Sequence, residues 1–365
     1  MKKIIYLFYT NLDEQDKSII KKVYSQKKAF NQIGVEVRIL TFGFKCNSSY
    51  KIGDDHIHIT IDNKNIKNKF DKLLIVSKLI EKVIFYLNKE KPDLVYLRDC
   101  LYFFSLHKKI SQIAPLFVEI QTNIFDELKL KNKLRYYLEY LLKRRYLKYA
   151  NGLVCITKEI SLIEGKFNKK DMYILGNGID EKQIKFIRKR HNNFINLLFI
   201  GTPNLSWHGV DRLIKSYLNA PNKEKFKLHI VGYENIFGID EKNIIFYGFI
   251  HKKEELEEIV AQSDIGIGTL ALYRKHMNEA APLKVRQYIA NGLPVIIAYD
   301  DVDLNENLPF ILKFPNDESL LDFNLIEEFY YRTKHLRESG EIIKYAYNLT
   351  WENKMKGFLE FAKLL

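Results

Sequence analysis

Short apolar runs alternate with longer stretches of helical periodicity along most of this chain, and that alternation limits its fold more tightly than any other feature. Residues 4–9, 35–41, 94–97, 116–120 and 152–156 have the length and composition of buried strands. Residues 17–33, 69–89 and 133–149 between them repeat apolar positions at intervals of three and four, the spacing of one helix face. Continuous apolar runs mark strands covered on both sides, which predicts a parallel α/β sheet with helical crossovers. The pattern breaks at Gly176-Asn177-Gly178 and a basic stretch over 182–191, then restarts at 196–201, 227–232, 244–247, 264–268 and 293–298. With 365 residues the chain can bury two cores. The expected architecture is two Rossmann-like parallel-sheet domains, residues 1–175 and 176–348, facing a central cleft where ligands bind, followed by a C-terminal helix within 349–365.

Composition excludes some classes. Hydrophobic residues at 47% and charged residues at 28% argue against disorder. Lys and Arg outnumber Asp and Glu by 58 to 45, a net charge of +13 that leaves two readings open. Anionic partners would favour it; a general enrichment in Lys, Asn, Ile and Tyr from A- and T-rich coding would produce it without one. No nucleic acid is expected as a partner. Cys46, Cys100 and Cys155 stand far apart, which fits neither a disulfide framework nor a zinc site and suits a reducing cytoplasm. Residues 4–9 read as a first strand and not a signal peptide, and no stretch reaches the roughly 18 apolar residues of a membrane span. Asp54-Asp55-His56-Ile57-His58 looks metal-like, with both imidazoles on one face of a short strand, but further ligands are not evident.

The chemistry concentrates in Glu279-Ala280-Ala281-Pro282-Leu283-Lys284-Val285-Arg286-Gln287 and the Gly292-Leu293-Pro294-Val295-Ile296 that follows. Pro282 suits the first helical position, where its missing N–H costs nothing, and Gly292 suits the C-terminal cap. The helix then starts just after an acidic loop residue, with free N–H groups and its positive dipole end at the strand termini, a seat for a diphosphate. Lys284 would add a full charge in the first turn. Gln287 lies on an adjoining face.

This stretch resembles the donor-site signature of glycosyltransferase family 4, Glu-x7-Glu followed by a helix and a Gly-x-Pro-Val-Ile strand. Residues 198–214, from Leu198-Phe199-Ile200-Gly201 through Trp207-His208-Gly209-Val210-Asp211, resemble that family's opening strand, glycine loop and Lys-Gly-Val-Asp helix. Phe246-Tyr247-Gly248-Phe249-Ile250 resembles its nucleobase loop, and Asn177-Gly178-Ile179-Asp180 the turn that opens its second domain. The resemblance implies the GT-B fold and retaining transfer of a sugar from a nucleotide-sugar, without a metal or other cofactor. It implies that Glu279 holds the transferred sugar and complements charge at its anomeric carbon. The N–H groups of Ala281, Pro282, Leu283 and Lys284 would bind the diphosphate, and Gly248, Phe249 and Ile250 would cradle the base. Gly201, Thr202 and His208 would face the same ligand.

The chain departs from the pattern twice. The second Glu, a ribose ligand in the family, is Gln287 here, which keeps hydrogen-bonding capacity but no charge. The phosphate-binding Lys is His208, which would act protonated or as a neutral single donor. In the first half, Asp99, Gln121, Thr122 and Asn123 follow strand ends, the edge where α/β sheets place ligands, and are the expected acceptor side. Asp301-Val302-Asp303 spells the metal-binding Asp-x-Asp of glycosyltransferases with the other common fold; beside this motif it reads as a surface turn. Three functions stay open: a transferase building a cell-surface polysaccharide or glycolipid, an epimerase on the same scaffold, and an inactive nucleotide-sugar-binding partner subunit. UDP is the favoured nucleotide and a glycan or lipid-linked sugar the acceptor. Arg135, Lys143, Arg144, Arg145 and Lys148 fall among tyrosines and leucines on one helix. That suits an anionic membrane surface on the cytoplasmic side, or an ordinary half-buried helix.

Overall fold

A computed structural model describes the chain except residues 14–15, 45–54, 62–68, 101–102, 104, 132, 192, 236–237, 306 and 365. Glu14, Cys46, Asp54 and most of the polar segment 45–68 lie outside the described residues. Two compact units emerge, Met1–Leu175 with Lys354–Leu365, and Gly176–Asn353.

The first unit runs β1 (Lys3–Tyr9), α1 (Lys17–Gln32), β2 (Glu36–Gly43), β3 (His56–Thr60), α2 (Lys69–Glu90) and β4 (Leu94–Arg98). It continues with α3 (Leu106–Ser111), β5 (Leu116–Ile120), α4 (Ile124–Lys131), α5 (Lys133–Leu147), β6 (Gly152–Cys155), α6 (Lys158–Gly165) and β7 (Met172–Ile174). The strands form one parallel sheet in the order β3-β2-β1-β4-β5-β6-β7. β1 is a continuous apolar and aromatic run from Ile4 because both its faces are covered, with Ile4 to Phe8 all buried. Strand order reverses between β1 and β4, which opens a crevice beyond the C-terminal ends of the central strands.

The second unit contains β8 (Ile195–Ile200), α7 (Val210–Leu218), β9 (Phe226–Val231), β10 (Ile244–Phe246), α8 (Lys253–Gln262) and β11 (Ile265–Ile267). Then come β12 (Glu279–Ala280), α9 (Leu283–Ala290), β13 (Val295–Ile297), β14 (Asp300–Asp301), β15 (Ile311–Lys313), α10 (Phe323–Ser339) and α11 (Ile343–Ala346). Its parallel sheet has the order β10-β9-β8-β11-β13-β15, again reversing beside the first strand. Alternate residues serve opposite faces: Leu197 and Phe199 join one apolar cluster and Leu198 the other. Val210, Leu213, Ile214 and Tyr217 of α7 fill the first cluster, while Val285, Tyr288 and Ile289 of α9 fill the second. A last helix, α12 (Trp351–Phe361), ends in the first unit, where Phe358 meets Tyr96 and Phe117 at ring-centroid distances of 4.9 and 5.6 Å.

Pro282 sits one place earlier than expected, as the N-cap of α9 in extended conformation, and Leu283 is the first helical residue. Asn291 is the C-cap, and Gly292 follows it at φ +84°, where its N–H donates to the Ile289 carbonyl and Leu293 N–H to that of Tyr288. That left-handed turn is why a glycine stands there.

Candidate functional site

The site in the second unit is built from strand ends. Beyond β8 and β9 the backbones of Gly201 and Gly232 touch: a Cβ on Gly232, which lies at φ +91°, would meet the Gly201 carbonyl oxygen at 2.0 Å. Gly232 N–H donates to the Gly248 carbonyl at 2.7 Å, and Gly248 N–H to that of Tyr233 at 3.0 Å. Gly201 and the loop of Gly248, Phe249 and Ile250 therefore share one rim, with Phe249 exposed. Tyr288 of α9, which the sequence reading had not singled out, fixes the end of β8 by accepting the Ile200 N–H at 2.8 Å.

The head of α9 faces this rim without a side-chain cap. Of the four residues expected to bind diphosphate, Pro282 has no N–H to offer, which leaves Ala281, Leu283 and Lys284. Lys284 is not the surface lysine its exposed neighbour Leu283 would suggest. Its Nζ is buried without a hydrogen-bond partner among the described residues, 4.2 Å from the centroid of the Phe199 ring. Loss of solvent lowers its pKa to about 7. An orphaned buried ammonium is costly, and an anion at the helix head is the ligand that would complete it.

Of the two forms open to His208, the structure favours the neutral donor: burial, with Lys284 and Lys275 nearby, lowers its pKa to about 3. Its Nδ1 accepts the Thr202 N–H at 3.3 Å, which leaves Nε2–H as its one donor. Lys275, 4.0 Å over the Trp207 ring, is a cation that the motif comparison missed; only the basic run Arg274-Lys275-His276 signalled it.

Glu279 is placed by a second, small sheet. β12 pairs with β14 in parallel, with Glu279 opposite Asp300. Arg286, fully buried on α9, binds Asp301 through both terminal nitrogens, reaches Asp303, and donates Nε–H to the Asn177 carbonyl at 3.1 Å. Asn177 in turn donates to the Ala281 carbonyl at 2.9 Å. Burial opposes the Arg286 charge, and Asp301 and Asp303 outweigh it, holding the guanidinium above its ordinary pKa. Asp301-Val302-Asp303 is thus more than a surface turn: Asp303 is exposed, but the Asp301 carboxylate is buried, and Arg286 engages both. Gln287 is half-buried one turn beyond Lys284 on the same helix.

In the first unit, Arg98, Asp99, Glu119, Gln121, Thr122 and Glu139 line a cavity of about 90 Å³ at the ends of β4 and β5. Asp99, Gln121 and Thr122 of the expected set meet there. Asn123 does not; it starts α4, accepting the Phe125 N–H at 3.2 Å. His56 is held by Tyr24 at 2.9 Å and Thr41 at 2.8 Å, and Thr41 also contacts His58 at 2.8 Å. Those contacts occupy both imidazoles, and no group of three or more metal-ligating side chains occurs among the described residues.

Comparison with known proteins defines the class. The chain superposes over 99% of its length on 100% of the lipopolysaccharide outer core galactosyltransferase WaaB, with TM-score 0.64 and 16% identity. A glycosyltransferase of Rickettsia africae matches over 99% and 98% of the two chains, with TM-score 0.65 and 14% identity. The fold is the GT-B fold of glycosyltransferases. More narrowly, residues 195–308 match the family model Glycosyl transferases group 1. The chain is 33% identical over 117 residues to an uncharacterized glycosyltransferase of Methanocaldococcus jannaschii, spanning 29% of this chain and 30% of that relative.

Proposed function

We propose that this protein is a retaining glycosyltransferase of the family 4 type, moving a sugar from a nucleotide-sugar, with UDP favoured, to a glycan or lipid-linked acceptor of a cell-surface polymer. The observation that carries the reading is Lys284, whose buried ammonium has no hydrogen-bond partner among the described residues and which stands in the first turn of a helix without a side-chain cap. A diphosphate would bring it a counter-charge and accept hydrogen bonds from the helix N–H groups and from His208 Nε2. These groups serve the leaving diphosphate better as its charge grows, so they lower the barrier and not merely the binding energy. Glu279 would orient the sugar hydroxyls, and the acceptor hydroxyl would attack the face from which the diphosphate departs. The protein's own cations make a metal unnecessary in this scheme.

Helix α5 supports a membrane-surface location. It is turned inside out: Glu139, Lys143 and Tyr146 are buried, while Leu134, Tyr137, Leu138, Tyr140 and Leu141 are each 48% to 73% exposed. The exposed charges of the helix, among them Arg135, Arg144 and Arg145, are all positive, and its one acid, Glu139, is buried. An outer face of leucine, tyrosine and arginine suits an anionic lipid headgroup layer, where a lipid-linked acceptor would wait. No helix among the described residues is long and apolar enough to cross a membrane.

Incubation with radiolabelled nucleotide-sugars and extracted lipid acceptors tests the reading. Label appearing in the acceptor fraction is expected. Label released as an isomer without any acceptor indicates an epimerase; nucleotide-sugar binding without turnover indicates a partner subunit.

A further inference from the structure

The first-unit cavity carries its own chemistry. Glu119 forms its inner wall and is saturated: Tyr6 OH donates to it at 2.6 Å, Gln26 Nε2 at 3.1 Å, and Lys22 stands 3.6 Å away. Lys22 also donates to Gln121 Oε1 at 2.5 Å. Because an ammonium can only donate, this bond fixes the amide with its Nε2 turned the other way. That Nε2 is buried and has no partner among the described residues. Arg98 Nη1 is in the same state, too far from Glu119 at 3.6 Å for a hydrogen bond. Asp99 sends Oδ2 toward Lys143 at 3.7 Å and keeps Oδ1 buried without a partner among the described residues. One small cavity thus presents two unsatisfied donors and one unsatisfied acceptor.

We propose that this cavity takes a pair of neighbouring hydroxyls on the edge of a neutral sugar ring. The proposal rests on the glycosyltransferase reading for its context and assigns the sugar to the acceptor. Each hydroxyl supplies one donor and two acceptor lone pairs, so a pair meets Asp99 Oδ1, Gln121 Nε2 and Arg98 Nη1 together. A carboxylate supplies acceptors only and would face Asp99 and Glu139. An ammonium supplies donors only and would leave Arg98 and Gln121 unpaired. The cavity, about 90 Å³, is small and open on one side, which suits the edge of a ring entering it.

The test uses the full-length protein and saturation-transfer NMR with a methyl hexopyranoside, its uronic acid and amino-sugar counterparts, and glycerol. The neutral hexopyranoside should bind best, and Gln121→Leu should weaken it about tenfold, with Asp99→Asn weakening it less. An unchanged thermal midpoint shows that each variant is folded. A variant that fails this check is replaced by competition: the neutral glycoside must displace, and the uronic acid must not. Preference for a charged sugar, glycerol binding as tightly as the hexopyranoside, no sugar binding, or no effect of Gln121→Leu overturns the proposal. Calorimetric titration of wild type with a nucleoside diphosphate separates the two claims: nucleotide binding without sugar binding overturns only this inference, whereas absent nucleotide binding overturns the glycosyltransferase reading.

Discussion

At Lys284 the side chain ends in a buried ammonium that lies over the Phe199 ring and has no hydrogen-bond partner among the described residues. With its pKa lowered to about 7 by burial, much of the amine is neutral at pH 8. A bound diphosphate would favour the charged form, so binding at pH 8 should take up close to one proton. Calorimetry in buffers of different ionisation enthalpy measures that number, and a value of zero would contradict the assignment. Glu279 and Gln287 separate chemistry from binding. Glu279→Gln should lower transfer on the order of 100- to 1000-fold with nucleoside diphosphate affinity nearly unchanged, because the free nucleotide carries no sugar. Gln287→Glu should tighten nucleotide binding by about 1 kcal/mol or less through the ribose. Parallel transfer assays and titrations decide both; full activity in Glu279→Gln refutes its role. The family resemblance singled out Glu279, Lys284 and Gln287 in the sequence, and the structure sets Lys284 and Gln287 on α9 and Glu279 on β12 just before it. The sequence left the protonation of His208 and the capping role of Asn123 invisible, since both depend on neighbours brought by other elements.

The β12, β14 and α9 elements act as one device. Arg286 on the helix grips Asp301 and Asp303 beside the strand that pairs with Glu279, so a helix, a strand and the Asn177 turn are set by a single guanidinium. Leaving one partner of a buried pair uncompensated costs about 3–5 kcal/mol. Asp301→Asn should therefore lower the urea midpoint of the second unit and reduce transfer more than it weakens nucleotide binding, because it shifts Glu279 before it disturbs Lys284. Equal loss of both would point to general unfolding. Sequence periodicity found α9 but read Asp301 as a turn residue, because ion pairing with a helix residue 15 positions earlier leaves no local pattern. Helix α5 shows the same limit. Its apolar and polar positions are evident in sequence, yet which stripe faces inward depends on the buried Lys143, 2.7 Å from Glu164. Flotation with anionic liposomes should show association at low salt that weakens at high salt, and Leu138→Asp with Leu141→Asp should abolish it. No association at either salt concentration ends the membrane reading.

Across the molecule, two doubly wound sheets repeat one construction, and the long continuous strands that define it were readable in order and number except for short members such as β7 and β15. Those lie at the sheet edges and carry three residues each, the same length as β10, β11 and β13, which the sequence did mark, so length alone does not separate them. The second unit holds both tryptophans, Trp207 within it and Trp351 at the start of α12, so their fluorescence reports on its unfolding. Burial lowers the pKa of His208 to about 3 and of His229 to about 4, against an ordinary 6.5. Between those values and 6.5 the unfolded chain binds more protons, so the stabilisation is complete above 6.5 and lost as pH falls toward 4. The urea midpoint read by tryptophan fluorescence should be lower at pH 5 than at pH 7; equal midpoints would contradict the buried, neutral state of these histidines. The central claim, that the second unit seats a diphosphate on α9 and Lys284 without a metal, is tested by titrating the protein with UDP in the presence of a chelator. Wild type should bind, and Lys284→Met should bind about 10- to 100-fold more weakly, the loss of one charge-assisted hydrogen bond. Binding abolished by the chelator, or left untouched by Lys284→Met, would contradict it.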